Sequence, residues 1–233
     1  MPFLLQHCLT LRQSFPDAEI HFVLNDKIAP LFDGHPSIDR IITFTEDERH
    51  SFFKYVKKVW SIVRKEHYDV IVDMRSTINT MLFALFSPTA KYRIGIEKAY
   101  TRLAFNYLKP KWGATSMVEH NSQLASPLEA EGTVNYTKDF TLSITDSEKQ
   151  EYREYLQKEG IDLSKTVMLA NVTAKLANKV WNEDKMVYVL DKFIAAHPDV
   201  QMIFNYAPGK EEENARRVYE KLGKPQQVFI DVK

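Results

Sequence analysis

Short apolar runs alternate with amphipathic helical periods along almost the whole chain, and that alternation limits the fold more than any other feature. The strand-like runs are Glu19–Leu24, Arg40–Phe44, Asp69–Met74 and Tyr92–Ile96, then Thr166–Ala170, Val200–Tyr206 and Gln227–Asp231. Most are rich in Val, Ile and Phe, the composition of strands buried on both faces. Between them Phe52, Phe53, Val56, Val59, Trp60 and Val63 recur at helical spacing, with Lys54, Lys57, Lys58, Arg64 and Lys65 on the other side. Met186, Val189, Leu190, Phe193 and Ile194 repeat that period, as do Ala215, Val218, Tyr219 and Leu222. Such alternation with short connections predicts βαβ units, an α/β class, and a parallel sheet covered on both faces.

The alternation lapses near Glu131–Asp139, after a helix expected at Thr115–Glu131. This sets the expected division: an N-terminal lobe over 1–133 and a C-terminal lobe over 134–233. A charged helix is expected at Asp146–Glu159, with Asp146 as its cap and Lys149 where a capping-box Glu would stand. Leu4, Cys8, Leu11 and Phe15 form a helical stripe, so the sequence opens in a helix, with Pro2 suited to its first turn. A doubly wound unit normally opens in a strand. The sequence closes on a strand, with three strands in the second lobe. The expectation is a chain lacking a first strand and several C-terminal elements.

Composition excludes several classes of function. Thirty-one basic and 31 acidic side chains cancel, which argues against a nucleic-acid binder working through bulk charge. The single Cys8 excludes a disulfide framework and a cysteine-based metal site. The longest apolar run, Met81 to Phe86, is far short of the roughly 20 residues that span a bilayer, and the start lacks secretory signal features. A cytoplasmic location is expected, and the sequons at Asn135 and Asn171 have no expected use. The seven Gly are scattered, so no GxGxxG, P-loop, HExxH or GxSxG occurs. His7, His21, His35, His50, His67, His120 and His197 show no ligand-pair spacing, and each is expected to be a surface or satisfied histidine. No metal and no cofactor are expected.

Three local features rise above this background. In Val167–Trp181 a buried strand ends in a polar loop carrying Asn171, Thr173, Lys175, Asn178 and Lys179. Open α/β sheets bind ligands at this edge, and hydroxyl and ammonium donors beside a helix start suit a phosphate or diphosphate. An ordinary solvated loop fits the same residues. The window Lys91–Trp112 holds Lys91, Arg93, Lys98, Arg102, Lys109 and Lys111 against one acid, Glu97, interleaved with aromatics. That mixture favours an anionic amphiphile, a membrane surface or single-stranded nucleic acid. A solvated helix whose aromatics face the core fits equally. Asp73 and Arg75 end a buried strand, where they either line a cleft or pair with each other.

Read together, these residues resemble glycosyltransferase family 9, the bacterial heptosyltransferases of lipopolysaccharide core assembly. Leu9–Leu24 is similar to the family's first helix and second strand, with their "LR…FPxAxI" pattern. Tyr68–Gly95 resembles the "YDxxIDxxG…RIG" segment, and Val167–Trp181 resembles the loop with the "KxWP" motif. The resemblance implies a GT-B fold of two Rossmann-like lobes, the second incomplete here, with donor and acceptor facing across a cleft. It implies that Lys179 and Thr173 contact the donor diphosphate, although Asn182 stands in place of the motif's Pro. Asp73, Arg75 and Asn171 become candidate cleft residues, and Lys91, Arg93, Lys98, Arg102, Lys109 and Lys111 a candidate acceptor or membrane patch. The implied chemistry is metal-independent inverting transfer of a heptose from a nucleotide-diphosphate donor such as ADP-heptose to an anionic glycolipid acceptor. The implied place is the cytoplasmic face of the inner membrane, with no nucleic-acid partner. The family's catalytic acid lies in a Gly-Asp loop after a first strand, so no base is assigned, and the 233-residue chain is expected to be inactive alone. The alternatives are a non-catalytic relic that binds nucleotide or glycolipid, and another GT-B enzyme such as a nucleotide-sugar epimerase.

Overall fold

The computed structural model describes residues 5–110, 116–139 and 141–232, and the chain divides into two units, Met1–Ser143 and Ile144–Lys233. In the first unit the order is α1 (Leu5–Ser14), β1 (His21–Asn25), β2 (Arg40–Phe44), α2 (Glu46–His50), α3 (Phe52–Glu66), β3 (Val70–Asp73), α4 (Leu82–Leu85), β4 (Tyr92–Ile96), β5 (Tyr107–Lys109) and α5 (Met117–Gln123). All pairings are parallel: β1 with β2, His21 opposite Arg40, and β3 with β4 and β4 with β5. Among the described residues these make two separately hydrogen-bonded sheets rather than the one expected.

The period-two alternation of strands sorts side chains onto two faces. Ile71 joins Ile42 and Phe44 under Tyr55, Val59 and Val63 of α3, whereas its neighbour Val72 joins Ile94, Leu124 and Leu128 on the other side. α1 covers β1 through Leu5 and Cys8, which pack with Phe22, Leu24 and Phe32. Leu4 of the expected stripe lies outside the described residues. The expected apolar face of α3 needs correction: Phe52, Phe53 and Trp60 are exposed, and Tyr55, Val59 and Val63 alone are buried. The helix holds more apolar residues than one stripe can bury, because positions 53 and 60 project roughly 100–120° away from Val59, the middle of the buried stripe.

The first unit runs on to Ser143, past the expected division at 133. The polar stretch after Gly132 is tied back to α1. The Asn135 N–H donates to Ser14 Oγ (2.8 Å), and Gln6 Nε2 donates to the Thr137 carbonyl (2.7 Å). Leu142 packs against the Leu5–Phe22 cluster. The expected helix at 115–131 is shorter, α5 followed by a 3₁₀ turn at Ser126–Ala130.

The second unit holds α6 (Asp146–Lys158), β6 (Val167–Asn171), α7 (Glu183–Ala196), β7 (Gln201–Asn205), α8 (Lys210–Lys221) and β8 (Val228–Phe229). β6 pairs parallel with β7, and β7 with β8. Val172, Leu190, Met202, Phe204, Ala215 and Val218 make its core. α6 is capped by Thr145, not by Asp146. Thr145 Oγ1 accepts from the Glu148 N–H (3.2 Å), and Glu148 accepts from the Thr145 N–H (2.7 Å), so the capping box is complete one residue earlier than expected.

Gly95 shows how tightly the first core closes. A Cβ there would lie 2.6 Å from the Phe105 ring, a contact that only displacement of the ring can relieve. Gly95→Ala is expected to lower stability by about 1–3 kcal/mol in urea unfolding, through overpacking. Two histidines depart from expectation. His7 and His120 are buried, and no ring nitrogen of either makes a hydrogen bond of normal geometry. Burial pushes the His7 pKa down to about 4, opposed by the nearby Asn121 backbone. The unfolded chain therefore takes up a proton that the folded chain refuses, below the ordinary value of 6.5. Stability should fall as pH drops from 6.5 towards 4, by about 3 kcal/mol from this group. His7→Leu should remove that part of the slope in pH-resolved unfolding measurements.

Candidate functional site

The carboxyl ends of β3 and β6 carry the candidate residues. At the first, the chain folds back over its own carboxylate. Asp73 is buried, and its Oδ1 accepts from the N–H groups of Arg75 (2.9 Å) and Ser76 (2.7 Å). Burial raises its pKa above the ordinary carboxylate value, and the Ser76 and Arg75 N–H groups oppose the rise. Ser76 takes a left-handed φ of 46° and stands where the "IDxxG" pattern has Gly, the residue that adopts such a φ without steric cost. The side chain that Gly would lack is used here. Ser76 Oγ donates to the Asp73 carbonyl (2.9 Å) and accepts from the Ile96 N–H (2.7 Å), joining this loop to the end of β4. Asp73 and Arg75 thus meet through carboxylate and backbone N–H, and the Arg75 side chain is exposed.

The basic–aromatic window is correspondingly committed to structure. Arg93 donates to the carbonyls of Ala104 (3.1 Å) and Pro88 (2.5 Å), and Lys98 to those of Arg75 (2.8 Å) and Ser76 (2.7 Å). Lys91 pairs with Glu131 (2.5 Å) and Arg102 with Glu97 (3.0 Å). Lys109 is half-buried at the end of β5, and Lys111 lies outside the described residues. Four of the six cations of the candidate acceptor or membrane patch thus close loops or pair with acids. Among the described residues the window is not the helix of the plainer alternative, and its aromatics divide: Tyr92 and Phe105 are buried, and Tyr100 and Tyr107 are exposed.

At the end of β6 the arrangement differs. Asn171 and Asn205 are register partners that end β6 and β7, and Asn205 Nδ2 donates to Asn171 Oδ1 at 2.7 Å. Val172 drops into the core, which anchors the loop that follows. Thr173 is half-buried, and its Oγ1 is buried without a hydrogen-bond partner. Lys175 and Lys179 are exposed, and among the described residues neither makes an ion pair. By contrast, Arg217 and Lys221 nearby on α8 are both paired with Glu183 at the start of α7. Lys179 ends a 3₁₀ turn, Ala177–Lys179, just before α7.

Asn182 explains its own departure from the family pattern. It caps α7, its side chain accepting from the Lys185 N–H (3.1 Å), with φ −57°, a value proline also adopts. The substitution keeps the backbone turn and adds a side-chain cap. Asn205 and Ser76 are the site residues that sequence reasoning missed. A signal for Asn205 was present, since the runs VMLAN and QMIFN both end in Asn. Asn182→Ala should cost about 1 kcal/mol of stability in urea unfolding, and Asn182→Pro should still fold with the α7 entry turn preserved.

With this geometry in hand, three comparisons place the chain among known proteins. The sequence pattern described as Glycosyltransferase family 9 (heptosyltransferase) matches residues 56–229. Lipopolysaccharide heptosyltransferase 3 of Escherichia coli strain K12 is 26% identical over 192 residues, covering 78% of this chain and 53% of that protein. The chain thus spans about half the length of that relative. Among solved structures, a glycosyl transferase family 9 protein from Veillonella parvula DSM 2008 superposes with a TM-score of 0.77 at 17% identity, over 97% of this chain and 64% of the other. The E. coli ADP-heptose LPS heptosyltransferase II superposes at 0.70 with 15% identity, over 96% and 67%. At those identities the structures establish the fold, α/β and GT-B-like.

Proposed function

Because the chain belongs to glycosyltransferase family 9 (heptosyltransferase), we propose that it serves the transfer of a heptose from ADP-heptose, or a related nucleotide-diphosphate donor, to an anionic glycolipid acceptor of the lipopolysaccharide core. In this reading the second unit holds the donor and the first unit faces the acceptor. The observation that supports it most directly is the loop after β6, at the carboxyl edge of a parallel sheet: it carries two exposed lysines that make no ion pair among the described residues and a threonine hydroxyl without a hydrogen-bond partner.

The chemistry follows from those groups. The acceptor hydroxyl gives up its proton to a general base and attacks the anomeric carbon from the face opposite the diphosphate, inverting the centre. Negative charge builds on the departing diphosphate oxygens as the glycosidic bond breaks. The Lys179 ammonium stabilises that charge, and the Thr173 hydroxyl donates the hydrogen bond it lacks in the free loop. The Asn205–Asn171 bond fixes the strand ends on which the loop stands. Arg75, exposed at the end of β3, is the cation of the first unit suited to an acceptor phosphate. The same reading puts the reaction at the cytoplasmic face of the inner membrane. Among the described residues no helix is long and apolar enough to cross a membrane.

Isothermal titration of the 233-residue chain with ADP tests the donor assignment. The unsubstituted chain should bind, and Lys179→Ala should weaken binding by about ten- to a hundredfold, the loss of a charge-assisted hydrogen bond, with unchanged circular dichroism. Undiminished affinity in Lys179→Ala, or no ADP binding by the unsubstituted chain, would sink the assignment.

A further inference from the structure

α3 presents a second face that the fold leaves uncovered. At 100° per residue, Phe53, Lys57, Trp60 and Arg64 fall within an arc of roughly 60°, whose centre lies about 130° from that of the buried Tyr55, Val59 and Val63. Phe53 is 85% exposed and Trp60 48%. Trp60 meets the Phe86 ring edge-on at 5.1 Å and carries the Arg64 guanidinium over its own ring at 5.3 Å, so the rings and the cation form one surface. No acidic residue lies on that face. The only acid of α3, Glu66, is turned to Arg40 (2.7 Å). Lys57 makes no ion pair among the described residues.

We propose that this face of α3 is a docking surface for an anionic lipid bilayer. Aromatic side chains that enter the headgroup region, beside Lys and Arg that meet lipid phosphates, are what a helix lying in a membrane interface requires. Charge selects the occupant. In a symmetric pair of copies the same patch faces itself, bringing Lys57 and Arg64 against like charges, which disfavours a second copy of this chain. An uncharged apolar partner would leave both cations desolvated and unpaired. Anionic headgroups supply the missing charge over the whole face. The docking needs no donor or acceptor sugar, so it stands apart from the proposed transfer reaction.

Co-sedimentation of the full chain with vesicles decides it, comparing phosphatidylcholine mixed with phosphatidylglycerol against phosphatidylcholine alone. Binding should need phosphatidylglycerol and should weaken with added salt. Phe53→Ser should reduce it, and the double variant Lys57→Glu/Arg64→Glu should reduce it by about tenfold or more, both with unchanged circular dichroism because these side chains are exposed. No sedimentation with phosphatidylglycerol vesicles, or sedimentation that both variants retain, would overturn the proposal. So would a concentration-dependent dimer that Phe53→Ser abolishes while vesicles go unbound.

Discussion

Parallel pairing is the constraint on which the rest depends. Two parallel strands cannot be joined by a tight turn, so the connection must return along the sheet, usually as a helix. Strands run the same way, and their carboxyl ends open at one edge of each sheet. In this chain that rule brings the end of β3 beside the end of β4, where Ser76 and Lys98 join the two loops. It also sets Asn171 beside Asn205, at the mouth of the loop that bears Thr173 and Lys179. Neither grouping is local in sequence, and both are consequences of direction alone.

Much of this was legible in the residues. Arg40–Phe44 and Tyr92–Ile96 are strands at the limits their apolar runs suggested, because β-branched and aromatic residues dominate both and each carries only a single Arg. The strand Tyr107–Lys109 was hidden, being short and set among basic and aromatic residues that read as a helix or loop. α3 was half legible. Its period announced a helix, but periodicity cannot say which of two apolar arcs the sheet will cover. The unpaired burial of His7 and His120 had no sequence signal, since it arises from the docking of α1 on α5, segments far apart in the chain.

The cations divide by what surrounds them rather than by where they cluster. The six bases of the Lys91–Lys111 window looked like a surface in sequence, yet Arg93 and Lys98 are spent on backbone carbonyls and Lys91 and Arg102 on carboxylates. Lys175 and Lys179, in a sparser segment, keep their charge available because Glu183 and Asp184 at the start of α7 are already engaged by α8. Charge density in a sequence therefore does not show which cations are already engaged; the ion-pair network of the fold does. The motif residues separate in the same way. The "RIG" residues Arg93 and Gly95 hold the first core together, and in the Val167–Trp181 loop the Thr173 hydroxyl is left without a hydrogen-bond partner.

An amide-resolved NMR titration of the chain with ADP tests the central claim most directly, that the loop after β6 holds the donor diphosphate. The account predicts shifts concentrated at Asn171–Asn182 and at Asn205, with the amides of Tyr92–Lys109 unmoved. Shifts centred on Tyr92–Lys109, or none at Thr173 and Lys179, would contradict it.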